Sequence, residues 1–173
     1  MGPSGSAPNC PDRDANPFPS IIYTCTRLEV DMPRILIADD NQANAELLEA
    51  HLDGTGYDTR IVSNGEDTLA AARDWAPDVI LLDVMMPKLS GFEVCQRLRA
   101  NPATRGVGVL MVTALDQPTD METAVAAGTD DLLTKPINKT ELLLRLRAML
   151  ESRSQATDLD RAIAYMGRVQ QGV

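Results

Sequence analysis

The sequence predicts an open α/β domain, a doubly wound sheet of five parallel strands with helices on both faces. Three observations carry that expectation. From Arg34 onward, short apolar runs alternate with segments of helical period. The run Val79-Ile80-Leu81-Leu82 shows no polar alternation, as a strand buried on both faces requires. Several of the runs also end in a charged or hydroxyl residue, and the carboxyl edge of a parallel sheet is where such folds bind ligands.

Residues 1–31 stand apart. Pro3, Pro8, Pro11, Pro17 and Pro19 sit among Gly, Ser and Asn, a composition that cannot bury a core. The segment is expected to be a disordered or misassigned extension, with Met32 a candidate natural start. Its opening lacks the basic and apolar regions of a secretory signal. A weak strand signal runs from Ile21 to Val30.

Ile35-Leu36-Ile37-Ala38 then reads as a buried strand ending at Asp39-Asp40. Ala43 to Leu52 follows as a helix, with Ala43, Leu47 and Ala50 at helical spacing and Gly54 as its stop. Tyr57 to Val62 is the second strand. Ser63 to Glu66 has capping-box spacing and opens a helix through Arg73. The central run ends at Asp83, and Pro87, which has no N–H for a ladder, lies beyond it. Ser90 and Glu93 form a second capping-box pair, ahead of Phe92, Cys95 and Leu98 at helical period. Val107 to Val112 is the fourth strand, followed by Thr113-Ala114. A helix from Pro118 to Ala127 stops at Gly128, and Asp131 to Thr134 is the fifth strand, ahead of Lys135-Pro136. The last helix of the series runs from about Asn138 to Leu150. Right-handed crossovers then favour the flavodoxin-like (βα)5 strand order 2-1-3-4-5 for a domain over residues 32–150. Residues 151–173 form a short, weakly helical tail with Leu159, Ile163 and Met166, expected as a frayed extension of that helix, with a partner-docking helix as the alternative.

Composition narrows the function. The chain has 173 residues, 44% hydrophobic and 24% charged, in the range of one globular domain plus tails. A net charge of −9 argues against direct nucleic-acid binding, whose footprint is a basic face. Aromatics at 3% leave little for base stacking. Cys10, Cys25 and Cys95 have neither zinc nor redox-motif spacing and fit free thiols in a reducing, cytoplasmic setting. No apolar run approaches the roughly 20 residues of a membrane span. His51, on the first helix away from the strand ends, reads as structural, since a catalytic histidine needs a partner in reach.

Asp39, Asp40, Asp83, Thr113 and Lys135 therefore converge on one edge. Carboxylates a few Å apart repel by several kcal/mol at about intermediate dielectric, which calls for a counter-charge. A hard divalent cation suits three carboxylates, and Mg²⁺ typically keeps room for phosphate oxygens. Lys135 and Thr113 can donate to a phosphoryl group.

This set, in this order at the ends of these strands, together with Pro87, Gly91 and Pro136, resembles the response-regulator receiver domain of two-component signalling. The resemblance covers Met32 to about Leu150. It implies that Asp83 is the phosphoacceptor, with Lys135 and Thr113 contacting the phosphoryl group and Thr113 acting as the switch hydroxyl. The backbone of Val84 and Ala114 would contact the same group. Mg²⁺ would be held by Asp40, Asp83 and the backbone carbonyl of Met85, with Asp39 acting through water. A cis peptide is expected at Lys135-Pro136. The implied partners are a histidine kinase or phosphotransfer protein and a downstream protein target. The face of the fourth helix, fifth strand and fifth helix is implied as a surface for pairing two copies. Such a chain assists its own phosphorylation and dephosphorylation and is not otherwise an enzyme.

One position departs from the family. An aromatic residue usually stands three places before the lysine, and here that place is Leu132, which puts the usual relay from Thr113 to the surface in doubt. Two other readings stay open at this point. One is a receiver-like scaffold that binds partners without phosphorylation. The other is a Mg²⁺-dependent phosphatase with an aspartyl nucleophile, although haloacid-dehalogenase-like enzymes want a second Asp where Met85 stands.

Overall fold

The structure is a computed structural model that describes residues 32–114, 118–153 and 158–171. The expectations about residues 1–31 lie outside the described residues. The elements run β1 (Arg34–Ala38), α1 (Gln42–Leu52), β2 (Asp58–Val62), α2 (Gly65–Asp74), β3 (Val79–Asp83), α3 (Gly91–Ala100), β4 (Gly108–Thr113), α4 (Pro118–Ala127), β5 (Asp131–Thr134), α5 (Lys139–Ser152) and α6 (Asp158–Gln171). Each strand and helix of the five βα units starts within one or two residues of its sequence prediction. The sheet has the order β2-β1-β3-β4-β5 with every pairing parallel, the predicted doubly wound topology.

Strand β3 is central, and all five of its residues are buried. Side chains alternate across a strand, so one buried strand feeds two cores. Ile80 and Leu82, with Leu36, Val109 and Met111 from the flanking strands, pack toward α2, α3 and α4. Val79 and Leu81, with Ile35, Ile37, Leu110 and Val112, pack toward α1 and α5. Parallel pairing then brings the carboxyl ends of β1, β3, β4 and β5 into one row: Leu82 lies between Ala38 and Met111, and Thr113 pairs with Thr134.

Helix starts are fixed by side-chain caps, which satisfy amides that the first turn leaves without partners. Ser90 and Glu93 form the reciprocal box predicted for α3. At α2 the cap falls one residue later than the Ser63–Glu66 spacing suggests. Asn64 is the cap, its side-chain oxygen accepting from the amide of Asp67. Gly65 follows directly and packs tightly against the loop after β3. It stands at the first helical position, where a Cβ would lie 2.6 Å from Cβ of Leu89.

The tail departs from its prediction. Helix α5 ends at Ser152, and α6 is a separate helix beginning at Asp158, not a frayed continuation. It packs on α5: the Tyr165 side chain joins the apolar cluster of Leu142, Leu146 and Met149, its hydroxyl donates to Asp131, and Arg168 pairs with Glu151 at 2.9 Å. Among the described residues, no helix is long and apolar enough to cross a membrane.

Candidate functional site

Each chemical side chain of the site is delivered by the end of a strand. Asp39 follows β1, Asp83 closes β3, Thr113 closes β4, and Lys135 follows β5. Asp39 and Asp83 are buried, at 2% and 6% exposure, so their charges need partners. Lys135 supplies one for both. Its Nζ donates to Oδ2 of Asp39 and to Oδ1 of Asp83, each at 2.9 Å. Burial pulls the lysine pKa down, but the bonds to Asp83 and Asp39 outweigh that and leave it above the ordinary lysine value. The ammonium therefore stays charged through the neutral range.

The remaining carboxylate oxygens are held by backbone and amide donors. Oδ2 of Asp83 accepts from the Met85 amide at 2.8 Å. Oδ1 of Asp39 accepts from the Asn41 amide at 2.9 Å and from Nδ2 of Asn44 at 3.4 Å. Asp40 is exposed, and carboxylate oxygens of Asp39, Asp40 and Asp83 all lie within 4.8 Å of one another. Three carboxylates against one ammonium leave an excess of negative charge. That donor set, hard oxygens at short range with one exposed member, fits a divalent cation of the magnesium class.

The loop after β3 is braced from below. The amide of Gly91 donates to the Val84 carbonyl at 3.0 Å, and a Cβ at position 91 would stand 2.3 Å from the carbonyl oxygen of Asp83. Only glycine permits that approach. On the same loop Lys88 takes a positive φ of 70° and pairs with Glu66 of α2 at 2.9 Å. The two methionines divide: Met86 is buried, whereas Met85 is 69% exposed beside the acceptor. Thr113 is buried and its carbonyl accepts from the Lys135 amide at 2.8 Å, while Ala114 next to it is exposed. The Lys135-Pro136 peptide is cis.

With this geometry in place, the comparison with known proteins is direct. Residues 35–147 match the family described as Response regulator receiver domain. The chain belongs to that family.

The receiver is 46% identical over 119 residues to the DNA-binding dual master transcriptional regulator RpaA of Synechocystis, spanning 69% of this chain and 49% of that one. It is 44% identical over 116 residues to the response regulator PleD of Caulobacter vibrioides, covering 67% of this chain and 26% of that one. The chain thus spans about half or less of these relatives' own length. Among solved structures, the chemotaxis protein CheY4 of Vibrio cholerae superposes with a TM-score of 0.64 at 30% identity, over 67% of this chain and 97% of that one. The receiver domain of Francisella response regulator 1452 gives 0.65 at 31% identity, over 71% and 99%.

Of the residues singled out in the sequence, Asp39, Asp40, Asp83 and Lys135 come together as one cluster, with Thr113 at the neighbouring strand end. Leu132 is partly buried, pairs with Met111 across β4 and packs with the α2–α4 cluster. His51 is away from the site; its Nδ1 is buried without a hydrogen-bond partner. Sequence reasoning missed Asn41 and Asn44. Asparagine at a helix start reads as a cap, which Asn41 is, and nothing in the spacing shows that the Asn44 side chain turns back to Asp39.

Proposed function

We propose that this receiver accepts a phosphoryl group on Asp83 from a histidine kinase or phosphotransfer protein and passes the signal on by protein–protein contact. The observation that carries the reading is Lys135 bridging Asp39 and Asp83 at 2.9 Å, with Asp40 alongside. In the transfer an Asp83 oxygen attacks phosphorus, an acyl P–O bond forms, the P–N bond of the phosphohistidine breaks, and the donor imidazole takes up a proton. Transfer of this kind asks the protein for positioning and for neutralised oxygens more than for covalent chemistry. In this reading Met85's amide, which donates to Asp83, orients the nucleophile, Lys135 shifts from Asp39 to an incoming phosphoryl oxygen, and Thr113 and the backbone of Val84 and Ala114 meet the other oxygens.

Asp40, Asp83 and the Met85 carbonyl would hold Mg²⁺, with Asp39 reached through water. When bound, the ion supplies charge neutralisation of the carboxylates and the phosphoryl oxygens. The chain in this reading is a phosphoacceptor in the cytoplasm that promotes its own modification, not a turnover enzyme. With leucine at position 132, the signal leaves the site without the aromatic rotamer that relatives use.

The test is intact-mass measurement after incubation with Mg²⁺ and a small phosphodonor. One acid-stable, base-labile phosphoryl group on the unsubstituted chain, and none on Asp83→Asn, is the expected result. Equal labelling of both chains removes Asp83 as the acceptor.

A further inference from the structure

The three carboxylates of the site are held in unequal ways. Asp39 is the most deeply buried, and both of its oxygens are committed. Oδ2 faces Lys135. Oδ1 faces the first turn of α1, where it accepts from the Asn41 amide at 2.9 Å and from Nδ2 of Asn44 at 3.4 Å. The turn itself is fixed by Asn41, whose side-chain oxygen accepts from the amides of Ala43 at 3.0 Å and Asn44 at 3.3 Å. Asn44 is half-buried, and its side-chain amide points back over that turn to the carboxylate.

The chemical character of this donor matters. Lys135 neutralises Asp39 with a full charge, and that charge also competes with any cation for the same oxygens. An amide orients a carboxylate while leaving its charge in place for a metal. Donors that fix the geometry of direct metal ligands typically change metal affinity about 10- to 100-fold when lost, and for Asp39, reached through water, the low end of that range applies.

We propose that Asn44 is a positioning residue for the acidic cluster. It holds Asp39 in one orientation, so that the cluster presents a preset arrangement of oxygens to Mg²⁺ while Lys135 stays free to move to the phosphoryl group. This rests on the function proposed above. With Asn44 lost, one backbone amide remains on Oδ1, and the carboxylate turns more freely toward the ammonium, away from a cation.

The experiment is a calorimetric titration of the full chain with MgCl₂, run beside denaturant unfolding in the absence of metal. In Asn44→Leu, which keeps the branched outline but has no donor, the Mg²⁺ dissociation constant is expected to rise about tenfold. The metal-free unfolding midpoint should stay at that of the unsubstituted chain. Asn44→Gln, which keeps the amide on a longer arm, is expected to recover most of the affinity. Asn44→Ala provides the same comparison should leucine disturb α1. Unchanged affinity in both donor-free variants overturns the inference, as does a loss of affinity matched by a parallel fall in metal-free stability. An unsubstituted chain that binds no Mg²⁺ overturns this inference and the proposed cation site together. Normal Mg²⁺ binding with no effect at Asn44 overturns the inference alone.

Discussion

The two ends of the sheet handle charge in opposite ways. At the amino-terminal end of the strands, carboxylates meet guanidinium groups. Asp78 lies against Arg153 and accepts from the Arg34 amide at 2.9 Å. Asp130 accepts from Arg99 at 2.7 Å and from the Val109 amide at 2.8 Å. Asp131 takes both Arg145 and Tyr165. Arg99 alone donates to the carbonyls of Gly128, Arg105 and Val107 as well as to Asp130, tying α3 to the entries of β4 and β5. At the carboxyl end three carboxylates crowd together, and one lysine pairs with two of them, Asp39 and Asp83. A balanced network of planar, multidentate pairs holds elements together. An unbalanced cluster costs stability until a ligand neutralises it, and proteins commonly accept that cost where they do chemistry. The contrast separates scaffold from site without reference to any relative.

Substitutions can break or sharpen that contrast. The largest effect is expected from Asp83→Asn, which should abolish phosphoryl uptake by mass measurement while leaving the metal-free fold at least as stable. Arg99→Ala at the opposite end should do the reverse. Loss of its four donated bonds is expected to cost about 3 kcal/mol in urea unfolding, with uptake by the folded protein unchanged. A variant that lost both stability and uptake would blur the division between the two ends.

Asp40→Ala gives a smaller effect of mixed sign. Removing one of three crowded carboxylates should raise metal-free stability by about 1 kcal/mol and remove most of the Mg²⁺-induced rise in melting temperature. A fall in metal-free stability would mean that Asp40 is structurally paired, against its exposed position. The smallest effect belongs to Tyr165→Phe, about 1 kcal/mol at neutral pH for one hydrogen bond to Asp131. Burial, then the bond to Asp131, hold this phenol protonated well above its ordinary range. The stability tied to that proton is full below about pH 10 and drains as the unfolded phenol ionises above it. The gap between Tyr165→Phe and the unsubstituted chain should therefore narrow in alkali.

These two ends were not equally legible in the sequence. The carboxyl edge could be read because its grammar is local: a short apolar run ends in Asp39, Asp83 or Lys135, and parallel topology does the rest. The amino-terminal network could not. Arg99 and Asp130 are 31 residues apart, and Arg145 and Tyr165 meet on Asp131 only after α5 and α6 have folded back. Helix α6 is weakly legible because its apolar residues give a pattern without saying what they face. Ile163 and Met166 prove exposed while Tyr165, unremarkable in the pattern, carries the contact. Asn44 failed for a related reason. Its role depends on a rotamer, which spacing does not encode.

Gly91 bears on how the acceptor can evolve. A side chain there would collide with the backbone of Asp83 itself, 2.3 Å away. A saturation scan should accordingly find two intolerant positions side by side in space and distinguishable in kind. At position 83 the failing variants are folded and silent. At position 91 they carry every functional side chain and still fail, because the strand end has been pushed out of place. The glycine fixes the location of the nucleophile although it takes no part in the reaction.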